Sequence, residues 1–295
     1  MSRVLGDRPP PAGGIDLDLP GAEIRLAATR WPGQGTPVVL LHGLSSQRRF
    51  WNLVVPSLAG LPLLAIDQRG HGGADRPQDG YAVHEVAADL APALDAIGWS
   101  RAVLVGHSWG AAVAATFAAE HPERTLALVC LDGGFVSPPV GFDRAAARKR
   151  LEPPRLEMPP EDLEQMLREH TPTPWSEEVA SAVLPIFAVD DDGLARARLP
   201  FDTHMQIVDG LLDYDAPATL GRVRCPTWLV SCGPVGGDPD AWTAAKAAAL
   251  DELPGSVADV RVMRWGGAVH DVPLQWPALV AGLIRAAVDG VQTMR

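Results

Sequence analysis

Gly106-His107-Ser108-Trp109-Gly110 sets a hydroxyl between two glycines, directly after the apolar run Ala102, Val103, Leu104, Val105 and directly before a small-residue helical stretch, Ala111 to Ala119. A strand that turns this sharply into a helix strains its central residue, and flanking glycines let the two elements approach without Cβ clashes. The pattern presents Ser108 as a nucleophile. A serine hydroxyl is hardly ionised at neutral pH, so attack on a carbonyl needs a base to take its proton. That base needs a third group to hold its tautomer and stabilise its charged form. The oxyanion produced needs preorganised N–H donors.

The elements that would position such groups follow from patterning. Apolar, β-branched runs at Val38 to Leu41, Leu61 to Ile66, Ala102 to Val105, Leu126 to Leu131 and Thr227 to Val230 alternate with helix-period segments. This alternation implies a mostly parallel sheet with helices on both faces. Tyr81 to Ile97 has the spacing of one helix, blemished by Pro92, and Ile15 to Ala28 reads as strand, Pro20-Gly21 turn and strand, an antiparallel edge. Proline clusters separate helix-like pieces such as Glu161 to His170 and Ser176 to Ala188, and no strand alternation is visible between Gly134 and about Ala218. A helical insertion there would form a lid over the carboxyl ends of the strands, where open α/β sheets bind ligands. A last strand, Val260 to Trp265, leads through Gly266-Gly267 to His270, and the Trp276 to Val288 helix follows.

The chain has 295 residues, 47% of them hydrophobic and 21% charged, with a formal net charge of −11. Such acidity, without a Lys/Arg-rich block, opposes binding to nucleic acid or anionic membranes. Cys130, Cys225 and Cys232 show no C-x-x-C spacing and are expected as buried core residues. The N-terminus lacks an apolar signal region, and Pro9-Pro10-Pro11 reads as a flexible or extended arm.

Four patterns in order carry a resemblance over about residues 20 to 290: Leu41-His42-Gly43-Leu44, Asp67-Gln68-Arg69-Gly70-His71-Gly72, the Ser108 turn, and Gly267-Ala268-Val269-His270-Asp271. The chain resembles lid-bearing serine hydrolases of the α/β-hydrolase superfamily. The resemblance implies residues 1–134 and 219–295 as the core domain and 135–218 as a helical cap. It makes His270 the base, places the oxyanion donors at the main-chain N–H groups of Leu44 and Trp109, and puts His42, Gly43 and Trp109 at the substrate. The motif beginning at Asp67 fixes a loop in this superfamily, and Ala74 stands where it often continues with serine.

Two acids compete. Many relatives place the acid after the strand that follows the lid, but this chain has Gly233-Pro234-Val235-Gly236 there, and Asp238 serves only in a loop two residues longer. Capping of the helix-like Ala241 to Leu250, with Pro239 at its start, also accounts for Asp238. Asp132, at the end of the strand after the Ser108 helix, occupies a position that some relatives use, and it is the favoured acid.

The expected function is cleavage of an ester, lactone or similar acyl bond of a small, largely apolar substrate through an acyl-enzyme. No metal or organic cofactor is called for, the cytoplasm is the expected location, and a homodimer stays open. Serine at the turn argues against haloalkane dehalogenase or epoxide hydrolase chemistry, which uses aspartate there in related proteins. Carbon–carbon bond hydrolysis or perhydrolysis on the same triad, a ligand-binding receptor or scaffold, and a carrier-dependent cyclase or thioesterase remain alternatives, the last if Arg144, Arg148, Lys149 and Arg150 dock an acidic carrier rather than forming a solvated helix face. His84, His121, His170 and His204 are expected in solvated or capping roles.

Overall fold

A computed structural model of the chain describes residues 2–137, 143–235, 241–253 and 257–293. In chain order the strands are β1 (Arg3–Val4), β2 (Ile15–Pro20), β3 (Arg25–Trp31), β4 (Val38–Leu41), β5 (Leu63–Asp67), β6 (Ala102–His107), β7 (Thr125–Leu131), β8 (Glu157–Met158), β9 (Phe187–Val189), β10 (Ala195–Ala197), β11 (Thr227–Gly233) and β12 (Val260–Gly266). Eight of them form one sheet in the order β12-β11-β7-β6-β4-β5-β3-β2. Its ladders are parallel except at β3–β5 and β2–β3. The expected antiparallel edge is therefore present.

Every residue of β4, β5, β6 and β7 is buried, as strands covered on both faces must be. Alternate side chains feed two cores. Val39, Leu41, Leu64 and Leu104 pack beneath α1 (Val83–Ala88), α2 (Leu90–Ala96) and α3 (Trp109–Glu120). On the other face Val38, Leu40, Val103 and Val105 join Trp51, Val280, Ile284 and Val288. Alanine dominates α3 because this helix is buried on nearly every side, and small side chains let it sit close to β6 and β7.

One expected helix is two. The Tyr81 to Ile97 segment breaks at Asp89, since Pro92 has no N–H for the Ala88 carbonyl and its ring crowds that oxygen. The break is useful, because buried Asp89 meets Arg69 at 2.7 and 2.8 Å and accepts Ala22 N–H at 2.9 Å.

Between β7 and β11, neighbours in the sheet, the chain inserts α4 (Arg144–Arg150), α5 (Pro160–His170), α6 (Glu177–Val183), α7 (Phe201–Leu212) and α8 (Ala216–Leu220). It also contains strands that the periodicity does not reveal. β8, β9 and β10 join β1 in an antiparallel sheet of order β1-β9-β10-β8. Strands of two or three residues are too short to show alternation. Pro185 helps end the helix that was expected to reach Ala188, and a turn with Gly193 at φ +83° joins β9 to β10.

The N-terminal arm is tied down. Arg3 and Val4 pair with Val189 and Ala188, Arg8 meets Glu177, and Trp31 Nε1 donates to the Pro11 carbonyl at 3.2 Å. On α4, Arg144, Arg148 and Lys149 form exposed pairs with Asp213, Asp209 and Glu152, as a solvated face would.

After β11 come α9 (Ala241–Glu252), α10 (Val272–Gln275) and α11 (Pro277–Thr293). Among the described residues no helix is long and apolar enough to cross a membrane.

Candidate active site

Ser108 has φ 53° and ψ −122°, the strained conformation that its motif implies. Glycine is required around it for closeness. A Cβ on Gly106 would lie 2.3 Å from the Gly110 carbonyl oxygen, and one on Gly110 would lie 2.3 Å from that of His42. Ser108 N–H continues the β6–β7 ladder to the Leu131 carbonyl at 2.9 Å. The hydroxyl thus projects from the rigid centre of the sheet, at the head of α3, where the helix dipole favours developing negative charge.

His270 Nε2 lies 2.9 Å from Ser108 Oγ, and its Nδ1 lies 2.6 Å from Asp132 Oδ2. The structure brings these three residues together as the sequence patterns imply, and Asp238 lies outside the described residues. Asp132, at φ 48°, continues the β7–β11 ladder by donating its N–H to the Val230 carbonyl. Its side chain is buried, and Oδ1 accepts Cys232 N–H at 2.8 Å. Burial pushes the Asp132 carboxyl up, but its hydrogen bond to His270 and the charges of His270 and Lys246 outweigh this, leaving it below the usual carboxylate range. For His270 burial pulls downward, and the hydrogen bond and charge of Asp132 prevail to leave it raised. A carboxylate facing Nδ1 keeps the proton there, and the Nε2 lone pair then faces the serine.

The His270 loop has two fasteners that no sequence pattern announces. Gln275 donates to the Gly267 carbonyl at 3.0 Å and accepts Val269 N–H at 2.8 Å. His107 Nε2 donates to the His270 carbonyl at 2.8 Å, and its ring stacks on Phe50.

Trp109 N–H lies at the first position of α3, and Leu44 N–H lies in the loop after β4. The loop beneath them is stitched by histidines. His42 is fully buried, donates to the Gly43 carbonyl at 2.7 Å and accepts Gln68 N–H at 3.2 Å. It does not line the cavity, so the structure makes it a loop fastener rather than a substrate contact. Gly43 does not line this cavity either; a Cβ there would lie 3.0 Å from His107 Nδ1 and 3.1 Å from Ser108 Cβ, so its value is close approach. The Leu44 side chain packs against Met205 and Val208 of α7. His204, expected at the surface, is buried and joins Ser45 Oγ at 2.7 Å to the Leu151 carbonyl at 2.8 Å, because α7 packs on this loop. The Asp67 motif fixes a loop: Asp67 is buried and accepts Arg48 N–H at 2.6 Å and Gly73 N–H at 2.7 Å.

A cavity of about 710 Å³ opens over Ser108 and His270. Phe135, Val136, Leu151 and Leu211 supply apolar wall from the insert, and Trp109, itself buried against His71, lines the floor. Arg150, Thr243 and Lys246 also line it. All three cysteines are free and buried, and burial pushes the thiols of Cys225 and Cys232 up to about 12.

Burial holds His42 and His107 near pKa 4 and His71 near 3, against 6.5 for a free imidazole. These folded-state values are depressed, so the unfolded chain binds more protons below pH 6.5 and stability falls as pH drops toward 4. The slope is about 1.4 kcal/mol per pH unit for each such imidazole. Urea unfolding at pH 7, 5.5 and 4.5 should show the transition midpoint falling steeply, and a flat profile would contradict the neutral assignments.

A model of the alpha/beta hydrolase fold matches residues 36–178. The RutD protein of Variovorax paradoxus, whose name points to carbamate hydrolysis, is 30% identical over 204 residues, spanning 68% of this chain and 74% of that one. The chain belongs to the alpha/beta hydrolase fold family. Epoxide hydrolase A of Mycobacterium tuberculosis is 40% identical over 120 residues, covering 39% of this chain and 37% of that protein. The match thus spans little more than a third of that relative. The crystal structure of E-2-(acetamidomethylene)succinate hydrolase superposes with a TM-score of 0.76 at 24% identity, covering 94% of this chain and 99% of that one, which shows the shared fold. Within this alpha/beta hydrolase fold, Lys246 is the site residue that sequence reasoning missed most clearly. Its Nζ lies 2.8 and 3.0 Å from the two Asp132 oxygens and 3.0 Å from the Cys232 carbonyl. The available signal was a lone lysine in the alanine-rich α9, one of two lysines in the chain.

Proposed function

We propose that the protein is a serine hydrolase that cleaves an ester, lactone or related acyl bond of a small, largely apolar substrate. The observation that carries this reading is the continuous relay of 2.9 and 2.6 Å from Ser108 through His270 to Asp132 at the floor of a mostly apolar cavity. His270 Nε2 takes the Ser108 proton as Oγ attacks the acyl carbon, and Asp132 stabilises the imidazolium that forms. The N–H groups of Trp109 and Leu44 receive the oxyanion. His270 then protonates the leaving group, and water, activated by the same imidazole, cleaves the acyl-enzyme. Residues 135–218 act as the cap, supplying Phe135, Val136, Leu151 and Leu211 to the apolar wall.

Epoxide hydrolysis is disfavoured despite the similarity to Epoxide hydrolase A. A carboxylate that opens an epoxide forms an ester, which water can cleave. A serine alkoxide would form an ether, which this relay has no means to hydrolyse. The names of relatives acting on a carbamate and on an acetamido compound favour including acyl carbons bonded to nitrogen among the substrates tried.

A fluorophosphonate probe followed by mass mapping tests the reading. Ser108 should carry the label, and a panel of short esters, lactones, carbamates and amides should then be turned over. Labelling at another residue, or none, would reject it.

A further inference from the structure

The acid of the relay is buried, and that creates an electrostatic difficulty. Asp132 must be ionised while its neighbour His270 rests uncharged, since only the neutral imidazole can accept the serine proton. A buried carboxylate with a neutral neighbour is an uncompensated charge, and it favours holding an extra proton on the Asp132–His270 pair. Such a pair would be poor at base catalysis near neutrality.

The structure answers this with Lys246. The residue is buried, and its ammonium makes three contacts: 2.8 Å to Asp132 Oδ1, 3.0 Å to Oδ2 and 3.0 Å to the Cys232 carbonyl. Three N–H donors meet three acceptors, so the group is fully satisfied without a ligand. Asp132 Oδ2 is the same oxygen that faces His270 Nδ1. We propose that Lys246 is a positioning residue of the relay, whose ammonium neutralises the buried Asp132 carboxylate so that His270 rests as the free base. Its three donors are taken up by Asp132 and the Cys232 carbonyl, so it acts through Asp132. This inference rests on the reading of Ser108, His270 and Asp132 as the relay.

Other groups bear on the same imidazole. Asp271 and Asp132 favour its charged form, Lys246 opposes it, and neutral His107 contacts its ring. The Cys232 thiol, held protonated by burial, lies beside Asp132, and Arg150 lines the cavity. Lys246 is bonded to the acid, so its removal shifts the balance toward the two carboxylates. The pair should then keep its proton to higher pH, and the apparent value observed belongs to the pair as a whole.

The test is the pH dependence of fluorophosphonate inactivation between pH 5 and 9 for the wild type, Lys246→Met and Lys246→Gln. Inactivation requires the free base but not knowledge of the natural substrate. In both variants the acidic limb should move up by about one pH unit, a roughly tenfold slower reaction on that limb with little change at the alkaline plateau. Lys246→Arg, which keeps a cation within reach of Asp132, should leave the limb near its wild-type position. A purely structural lysine predicts an equal loss at every pH, and that result, or an unmoved limb, overturns the proposal. If neither variant folds, ¹⁵N-histidine titration of the wild type decides, because a His270 that stays an imidazolium up to pH 9 is incompatible with it. Wild-type protein unlabelled at Ser108 removes the relay and this inference with it, whereas labelling with an unmoved limb removes this inference alone.

Discussion

Ser108→Ala should lower kcat on an activated ester by about 10⁶-fold, the scale seen when such a nucleophile is removed. The loss falls on kcat because the alanine variant keeps the cavity, the two N–H donors and the imidazole, so binding survives while the acyl-enzyme route does not. The fold should tolerate the change. Alanine inherits the φ of 53° at this turn, and the substitution deletes only an oxygen whose partner, His270, is half exposed. Steady-state kinetics beside a thermal melt separate the two effects. A folded variant with activity within tenfold of wild type would end the nucleophile assignment.

Asp132→Asn should lower kcat by about 10⁴-fold, through the tautomer rather than through shape. An amide in place of the carboxylate can present its NH₂ to His270 Nδ1. The imidazole would then carry its proton on Nε2, facing Ser108, and could no longer accept from it. Lys246 would also face a neutral group in a buried site, so a lower melting temperature should accompany the kinetic loss. Asp238→Asn is the comparison. It should leave kcat near wild type, and a larger loss there than at Asp132 would transfer the acid to the loop after β11.

Which properties could be read in advance depends on how local their causes are. Apolar runs such as Val38 to Leu41 announce central strands because burial on both faces leaves no polar position. The Ser108 turn is equally plain, since two glycines are demanded by carbonyl and backbone atoms within 2.3 to 2.4 Å. Asp132 needed more than local pattern: its orientation is set by ladder bonding to Val230 and by partners about a hundred residues away at Cys232 and Lys246. Lys246 and His204 escaped for the same reason. Each is an ordinary polar residue on a helix until packing of that helix decides what it meets. The sheet of β1, β8, β9 and β10 is likewise a product of distant pairing, invisible in segments of two or three residues.

Ser108 and Asp132 leave neighbouring strands, β6 and β7, each one residue past its last ladder position, and Gly133 lies so close that a Cβ there would sit 2.3 Å from the Ser108 carbonyl oxygen. Ser108 and Asp132, the proposed nucleophile and acid, are thereby built into one stiff block in the middle of the protein. Directly after β11, Pro234 borders the cavity without being part of that block. Pro234 is therefore a position where substitution should retune substrate choice with Ser108 and Asp132 left in place.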